Sequence, residues 1–147
     1  MLASHMSLIP TLTLFDVEAK KSHASPEATK QLVDLAVSQL RAYNSAGGQI
    51  LFGTDIGYID HYDTAEEFAL MTKAGMSFPQ VLASLTTAPA ERFGYAARAG
   101  RIVAGMEADL VILRSDPAAD ITALARVVYT IRAGRVIFTD RSRLPHQ

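Results

Sequence analysis

Asp55 is the residue whose type and setting best suit chemistry. It closes Gly53-Thr54-Asp55, directly after the short apolar run Gln49-Ile-Leu-Phe-Gly53. A continuous apolar run bounded by glycines reads as a strand buried on both faces. A carboxylate at the C-terminal end of such a strand lies where parallel α/β folds place their sites. There it can ligate a divalent metal and take a proton from water. The simpler account is that Asp55 caps the following turn, and a lone Gly-Thr-Asp triplet favours that account. Tyr58, Asp60 and His61 follow in the same loop and could reach a substrate, although a solvated loop is the simpler account of them. His5, His23, His61 and His146 never take the paired spacing of a metal site on one strand or helix. Cysteine is absent, which removes thiolate metal sites, disulfides and cysteine nucleophiles. There is no phosphate-binding glycine loop, no serine-hydrolase elbow and no metalloprotease helix motif.

The elements that would position Asp55 follow from periodicity. Thr11 and Thr13 alternate with Leu12 and Leu14, which predicts a strand within Ser7 to Phe15, with Pro10 near its start. Asp16 to Ser25 is polar and reads as a loop. Pro26 opens a helix whose face is Leu32, Leu35, Ala36, Leu40 and Tyr43, ended by Gly47-Gly48. Thr64 with Glu67, and Ser77 with Gln80, form two capping boxes at the starts of further helices, the first stopped by Gly75. Thr87-Ala-Pro89 starts a short helix through Phe93. Beyond Gly100 four short strands are expected: Arg101 to Ala104, Ala108 to Arg114, Arg126 to Arg132 and Arg135 to Thr139. Ala133-Gly134 makes a tight hairpin between the last two. Asp109, Asp116 and Asp120 fall at expected turns and strand edges. The helix-rich part, 1–99, is therefore separated from a β part, 100–147.

Fourteen basic residues oppose fifteen acidic ones without a block of like charge, so neither nucleic acid nor an anionic membrane is an expected partner. No run approaches the roughly 20 apolar residues of a membrane span. Met1 to Met6 lacks the basic start and apolar run of a signal peptide; the compartment stays open, the cytoplasm being favoured unless a targeting segment preceded it.

Several segments in order and spacing resemble the amidohydrolase superfamily, in particular its imidazolonepropionase-like and Xaa-Pro dipeptidase-like members. They begin with Ile50-Leu-Phe-Gly-Thr-Asp55 and Glu66-Glu-Phe-Ala-Leu-Met-Thr-Lys-Ala-Gly-Met-Ser77. Val81-Leu-Ala-Ser-Leu-Thr-Thr-Ala-Pro-Ala-Glu-Arg-Phe-Gly94 and Gly100-Arg-Ile-Val-Ala-Gly-Met-Glu-Ala-Asp-Leu-Val-Ile-Leu113 come next. Asp116-Pro-Ala-Ala-Asp-Ile121 and Val127-Val-Tyr-Thr-Ile-Arg-Ala-Gly-Arg-Val-Ile-Phe138 close the series. The resemblance implies an α/β fold: the last two βα units of a metal-dependent (β/α)8 TIM barrel, followed by C-terminal strands of a small β-sandwich. Ile9 to Leu14 would be barrel strand seven and Gln49 to Asp55 strand eight. Asp55 would then bind a divalent metal, zinc by expectation, and shuttle the proton in hydrolysis of a small-molecule amide or cyclic amide. Tyr58 and His61 would contact that substrate. The family's His-x-His pair, bridging lysine and later histidines have no counterpart here, and a whole barrel takes roughly 250 residues. The expectation is therefore a C-terminal part, inactive alone and completed by an N-terminal barrel half or by self-association. A non-catalytic interaction module and one subunit of a split hydrolase are the competing accounts.

Overall fold

The computed structural model describes residues 6–60 and 62–140. Five helices come first: α1 (Leu12–Lys21), α2 (Pro26–Ser45), α3 (Ala65–Lys73), α4 (Phe78–Leu85) and α5 (Thr87–Arg92). Strand β1 (Leu110–Leu113), a 3-10 turn (Ile121–Ala125), β2 (Val127–Arg132) and β3 (Arg135–Thr139) follow. The strands form one antiparallel sheet in the order β1-β2-β3.

Helix α2 begins as its residues dictate. Ser25 Oγ accepts the Ala28 amide at 3.2 Å, and Pro26 occupies the first turn, where its missing N–H costs nothing. Its inward face is Thr29, Ala36, Val37 and Leu40, with Val33 and Tyr43 half-buried. Leu32 and Leu35, expected on that face, are turned outward. Leu12 of α1, Leu40 of α2, Met71 of α3 and Val81 of α4 are all but inaccessible and meet in one core. Each such side chain contributes roughly 1.5–3 kcal/mol by leaving water. On the outside, Asp34 of α2 accepts from Lys30 at 2.7 Å and Lys73 of α3 at 2.6 Å. These two ammonium groups hold its carboxyl down at about 2.

Of the strand expected over Ser7 to Phe15, only a bridge at Leu8 is formed, and Leu12 onward is helix. Leu8 and Ile50 make a single parallel bridge, with Leu8 N donating to Gln49 O and Leu51 N to Leu8 O, both at 2.9 Å. The next rung of a parallel ladder would need an N–H on residue 10, and proline has none. The apolar run from Gln49 is consequently one bridge rather than a strand, and its Phe52 amide turns to Ser84 O of α4 at 3.0 Å. Thr11 then adopts a left-handed conformation (φ 44°) and the chain enters α1, replacing the loop expected at Asp16 onward. Asp16 and Lys20, one turn apart and 2.6 Å from each other, support that helix.

Glu67 starts α1 from a distance. Its Oε1 accepts the Leu12 amide and its Oε2 the Thr13 amide, each at 2.8 Å, and Oε2 also takes the Thr13 hydroxyl at 2.5 Å. The expected box between Thr64 and Glu67 is therefore absent. Thr64 makes no side-chain cap, and Asp63 Oδ1 accepts the Ala65 amide at 2.9 Å instead. The box at α4 does form its reciprocal half, with Gln80 Oε1 accepting the Ser77 amide at 2.8 Å.

In the β part, Ala133 (φ 49°) and Gly134 (φ 74°) are both left-handed, the turn that matches the twist of a two-residue hairpin. Asp109 Oδ1 and Ala108 O hold that turn from beside it, accepting the amides of Ala133 at 2.7 Å and Gly134 at 3.0 Å. Asp116 and Asp120 accept amides two residues on, as turn residues do. The segment Arg101 to Ala104 is not a strand: left-handed Gly100 and Gly105 bracket it, and Ile102 and Val103 are exposed. The sheet reaches the helices through the 3-10 turn, which packs on α3 and adds Leu124 to the core.

Glu67→Ala should cost about 2–4 kcal/mol, because it strands two amides and a hydroxyl in a buried site. Urea unfolding of the two proteins measures this. A loss below about 0.5 kcal/mol would mean that water replaces the carboxylate without penalty.

Candidate active site

The site is assembled from the two paired segments. After the Leu8–Ile50 bridge, the second segment runs through half-buried Phe52, whose ring stacks on Phe68 of α3 with centroids 4.7 Å apart. Gly53 is required by proximity: a Cβ there would stand 2.5 Å from Ile9 Cγ2. The segments touch side chain to backbone at the step before the candidate residue. Thr54 is buried and Asp55 emerges.

Asp55 is exposed and left-handed (φ 58°). Aspartate tolerates that conformation better than most residues, at a cost of order 1 kcal/mol. The following turn is closed by the Asp55 carbonyl, which accepts the Tyr58 and Ile59 amides at 3.1 Å each. Among the described residues no side-chain hydrogen bond of Asp55 closes that turn. Ile59 plunges into the interior at 2 % exposure and anchors the turn, with Gly57 (φ 116°) making the reversal. Asp55, Tyr58 and Asp60 thus face outward from one short loop. The Tyr58 ring is capped by the Lys21 ammonium at 4.1 Å from its centroid. Lys21 has no local sequence signal for this place, because it depends on α1, over which alternation and polarity predict strand and loop. His61 lies outside the described residues, and His23 sits in the exposed turn after α1.

A divalent ion held by protein usually takes about three protein ligands. Among the described residues no group of three His, Cys, Asp or Glu side chains comes together in that way. The donor set is one carboxylate, so the described residues do not by themselves fit a metal ion.

With this fold and this loop in view, comparison with known proteins identifies the class. The sequence pattern of the Amidohydrolase family matches residues 6–137, and the chain belongs to that family. Amidohydrolase tasK of Hapsidospora irregularis is 49% identical over 43 residues, which make up 29% of this chain and 4% of that protein. The chain is similar in structure to a Xaa-Pro dipeptidase solved with methionine in its active site, with a TM-score of 0.82 and 26% identity. That match covers 95% of this chain and 36% of the dipeptidase. A candidate prolidase from Bifidobacterium longum matches with a TM-score of 0.76 and 30% identity, over 94% of this chain and 37% of the other. The chain thus spans little more than a third of the solved relatives and a small fraction of the curated one.

Gly53→Ala should destabilise the chain by about 1–3 kcal/mol through overpacking against Ile9. Adding Ile9→Ala should return part of that loss, since it removes the atom that the new methyl meets. A double-mutant cycle in urea measures the coupling, and strictly additive effects would show that the two segments give way elsewhere.

Proposed function

We propose that this chain forms part of the active site of a metal-dependent amidohydrolase that hydrolyses a C–N bond in a small amide. The carrying observation is Asp55, exposed at the end of one of two parallel-paired segments and inside the region that matches the family. In this reading residues 1–99 supply the last two βα units of a (β/α)8 barrel, and residues 100–147 supply strands of a β-sandwich. The family generally uses a divalent metal. Asp55 would be one donor to it, zinc being the expected ion, with further donors drawn from segments other than those described here.

The role of Asp55 follows from its chemistry. Water attacks the amide carbon while an Asp55 carboxylate oxygen takes its proton. The same oxygen then returns the proton to the leaving nitrogen as the C–N bond breaks. Tyr58 and His61 are proposed as substrate contacts. The structural relatives include a Xaa-Pro dipeptidase and a candidate prolidase, which supports a dipeptide or amino-acid amide over a cyclic amide. The isolated chain is inactive in this reading, and a split hydrolase completed by a second polypeptide is the same chemistry in two pieces. A non-catalytic interaction module would instead remain silent in the test that follows.

Metal content by mass spectrometry and dipeptide hydrolysis should be measured on the chain alone and after assembly with a polypeptide supplying the rest of the family fold. Metal and activity should appear only on assembly. Asp55→Asn in the assembled enzyme should lower the rate about 10²–10⁴-fold, the usual range for a lost general base, with an unchanged melting curve. Stoichiometric metal on the isolated chain, or an unchanged rate in the variant, would sink the proposal. Assembly with neither metal nor hydrolysis would favour the interaction module.

A further inference from the structure

The first turn of α3 grips both of the paired segments through two adjacent residues. Glu67 holds the first segment: its carboxylate accepts the Leu12 and Thr13 amides at 2.8 Å each, shortly after Ile9 in the chain. Phe68 holds the second: its ring lies on that of Phe52, with centroids 4.7 Å apart and planes 18° from parallel, shortly before Asp55. Both residues are buried, and α3 is itself fixed by Met71 and Ala74, which solvent does not reach. The two grips are therefore taken from a close-packed part of the core, which transmits displacement rather than absorbing it.

The two routes converge. Ile9 comes so close to Gly53 that a Cβ on the glycine would stand 2.5 Å from Ile9 Cγ2. A shift of either segment is thus felt by the other just before Asp55. Beyond Asp55 the chain is fixed again by Ile59, which is buried. The Asp55 side chain stands exposed, so its place is set by the main chain on either side of it. Misplacing a reacting group by about 1 Å is enough to cost roughly 10²-fold in rate.

We propose that Glu67 and Phe68 are positioning residues: together they fix where the Asp55 carboxylate stands, and they act on the reaction through it. The inference rests on the reading of Asp55 as the general base. A pair with a structural role alone would lower stability and leave the rate of the folded enzyme as it was.

The test follows dipeptide hydrolysis by the assembled enzyme. It compares kcat and KM for Phe68→Leu, Glu67→Gln and Asp55→Glu, and for each of the first two combined with the third, well below every melting temperature. Phe68→Leu removes the stack and keeps an apolar side chain. Glu67→Gln keeps the shape but turns an NH₂ group towards donors that need an acceptor. Each should lower kcat about tenfold while KM changes less than about twofold. Asp55→Glu keeps a carboxylate but moves it, so a base already out of place has less to lose. In that background each change should cost less than about threefold. Phe52→Leu breaks the same stack from its half-buried side and should repeat the loss if Phe68→Leu fails to fold; Phe52→Tyr, which keeps a ring there, should recover most of it. Equal losses in both backgrounds, or lowered stability with kcat unchanged, would overturn the proposal. A low rate in Asp55→Asn would then leave the active-site reading standing without it. An unchanged rate in Asp55→Asn, or no hydrolysis by the unaltered assembled enzyme, would overturn both.

Discussion

The fold turns on a buried carboxylate that satisfies the start of a helix 54 and 55 residues away in sequence. The first amides of a helix have no partner within it and carry the positive end of its dipole. At α1 two of these amides and the Thr13 hydroxyl converge on Glu67, whose side chain is withdrawn from solvent. A buried carboxylate is costly unless it is fully hydrogen-bonded, and here the donors are supplied by a helix terminus that needs acceptors. This contact sets where α1 begins and ties it to α3. Because α1 carries Lys21 at its other end, it also sets what lies beside Tyr58.

The sequence was most legible where a signal acts within a few residues of itself. Ser25 and Pro26 start α2, Gly75 stops α3, and Ala133-Gly134 turns the β2–β3 hairpin, each through contacts to near neighbours. Asp55 could be singled out because it ends an apolar run. The misreadings have the opposite character. Four alternating residues suggested a strand at Leu12 and Thr13, yet both are buried, which alternation across a pleat would not give. The choice there is made by Glu67, far along the chain, and by the missing amide of Pro10. Glu67 itself looked like the partner of Thr64 because spacing alone cannot tell a local acceptor from a distant one. Arg101 to Ala104 has strand-like side chains, but glycines turn the chain on both sides and no neighbour pairs with it among the described residues. Lys21 was out of reach for a related reason: its position depends on a helix that local pattern did not indicate.

The two parts of the molecule carry their apolar surface differently. The helices gather much of theirs into one core, with Leu32, Leu35 and Leu82 left outside it, whereas the sheet leaves Val111, Ile112, Val136, Ile137 and Phe138 open to solvent. Its attachment runs through the 3-10 turn and Leu124, with Leu113 of β1 also packed on that core. An open apolar sheet and a site with one acidic donor accord with a chain that matches little more than a third of its solved relatives.

The left-handed backbone at Asp55 also narrows which side chains the position can hold. Glutamate could carry a proton in the same place, but it enters this region of conformational space less readily than aspartate. Asparagine enters it as readily and cannot act as a base. The polypeptide geometry and the proposed chemistry therefore exclude different alternatives, and aspartate satisfies both. A search for other residues that could work here would find the alphabet already shortened by the bend of the main chain, before any substrate is considered.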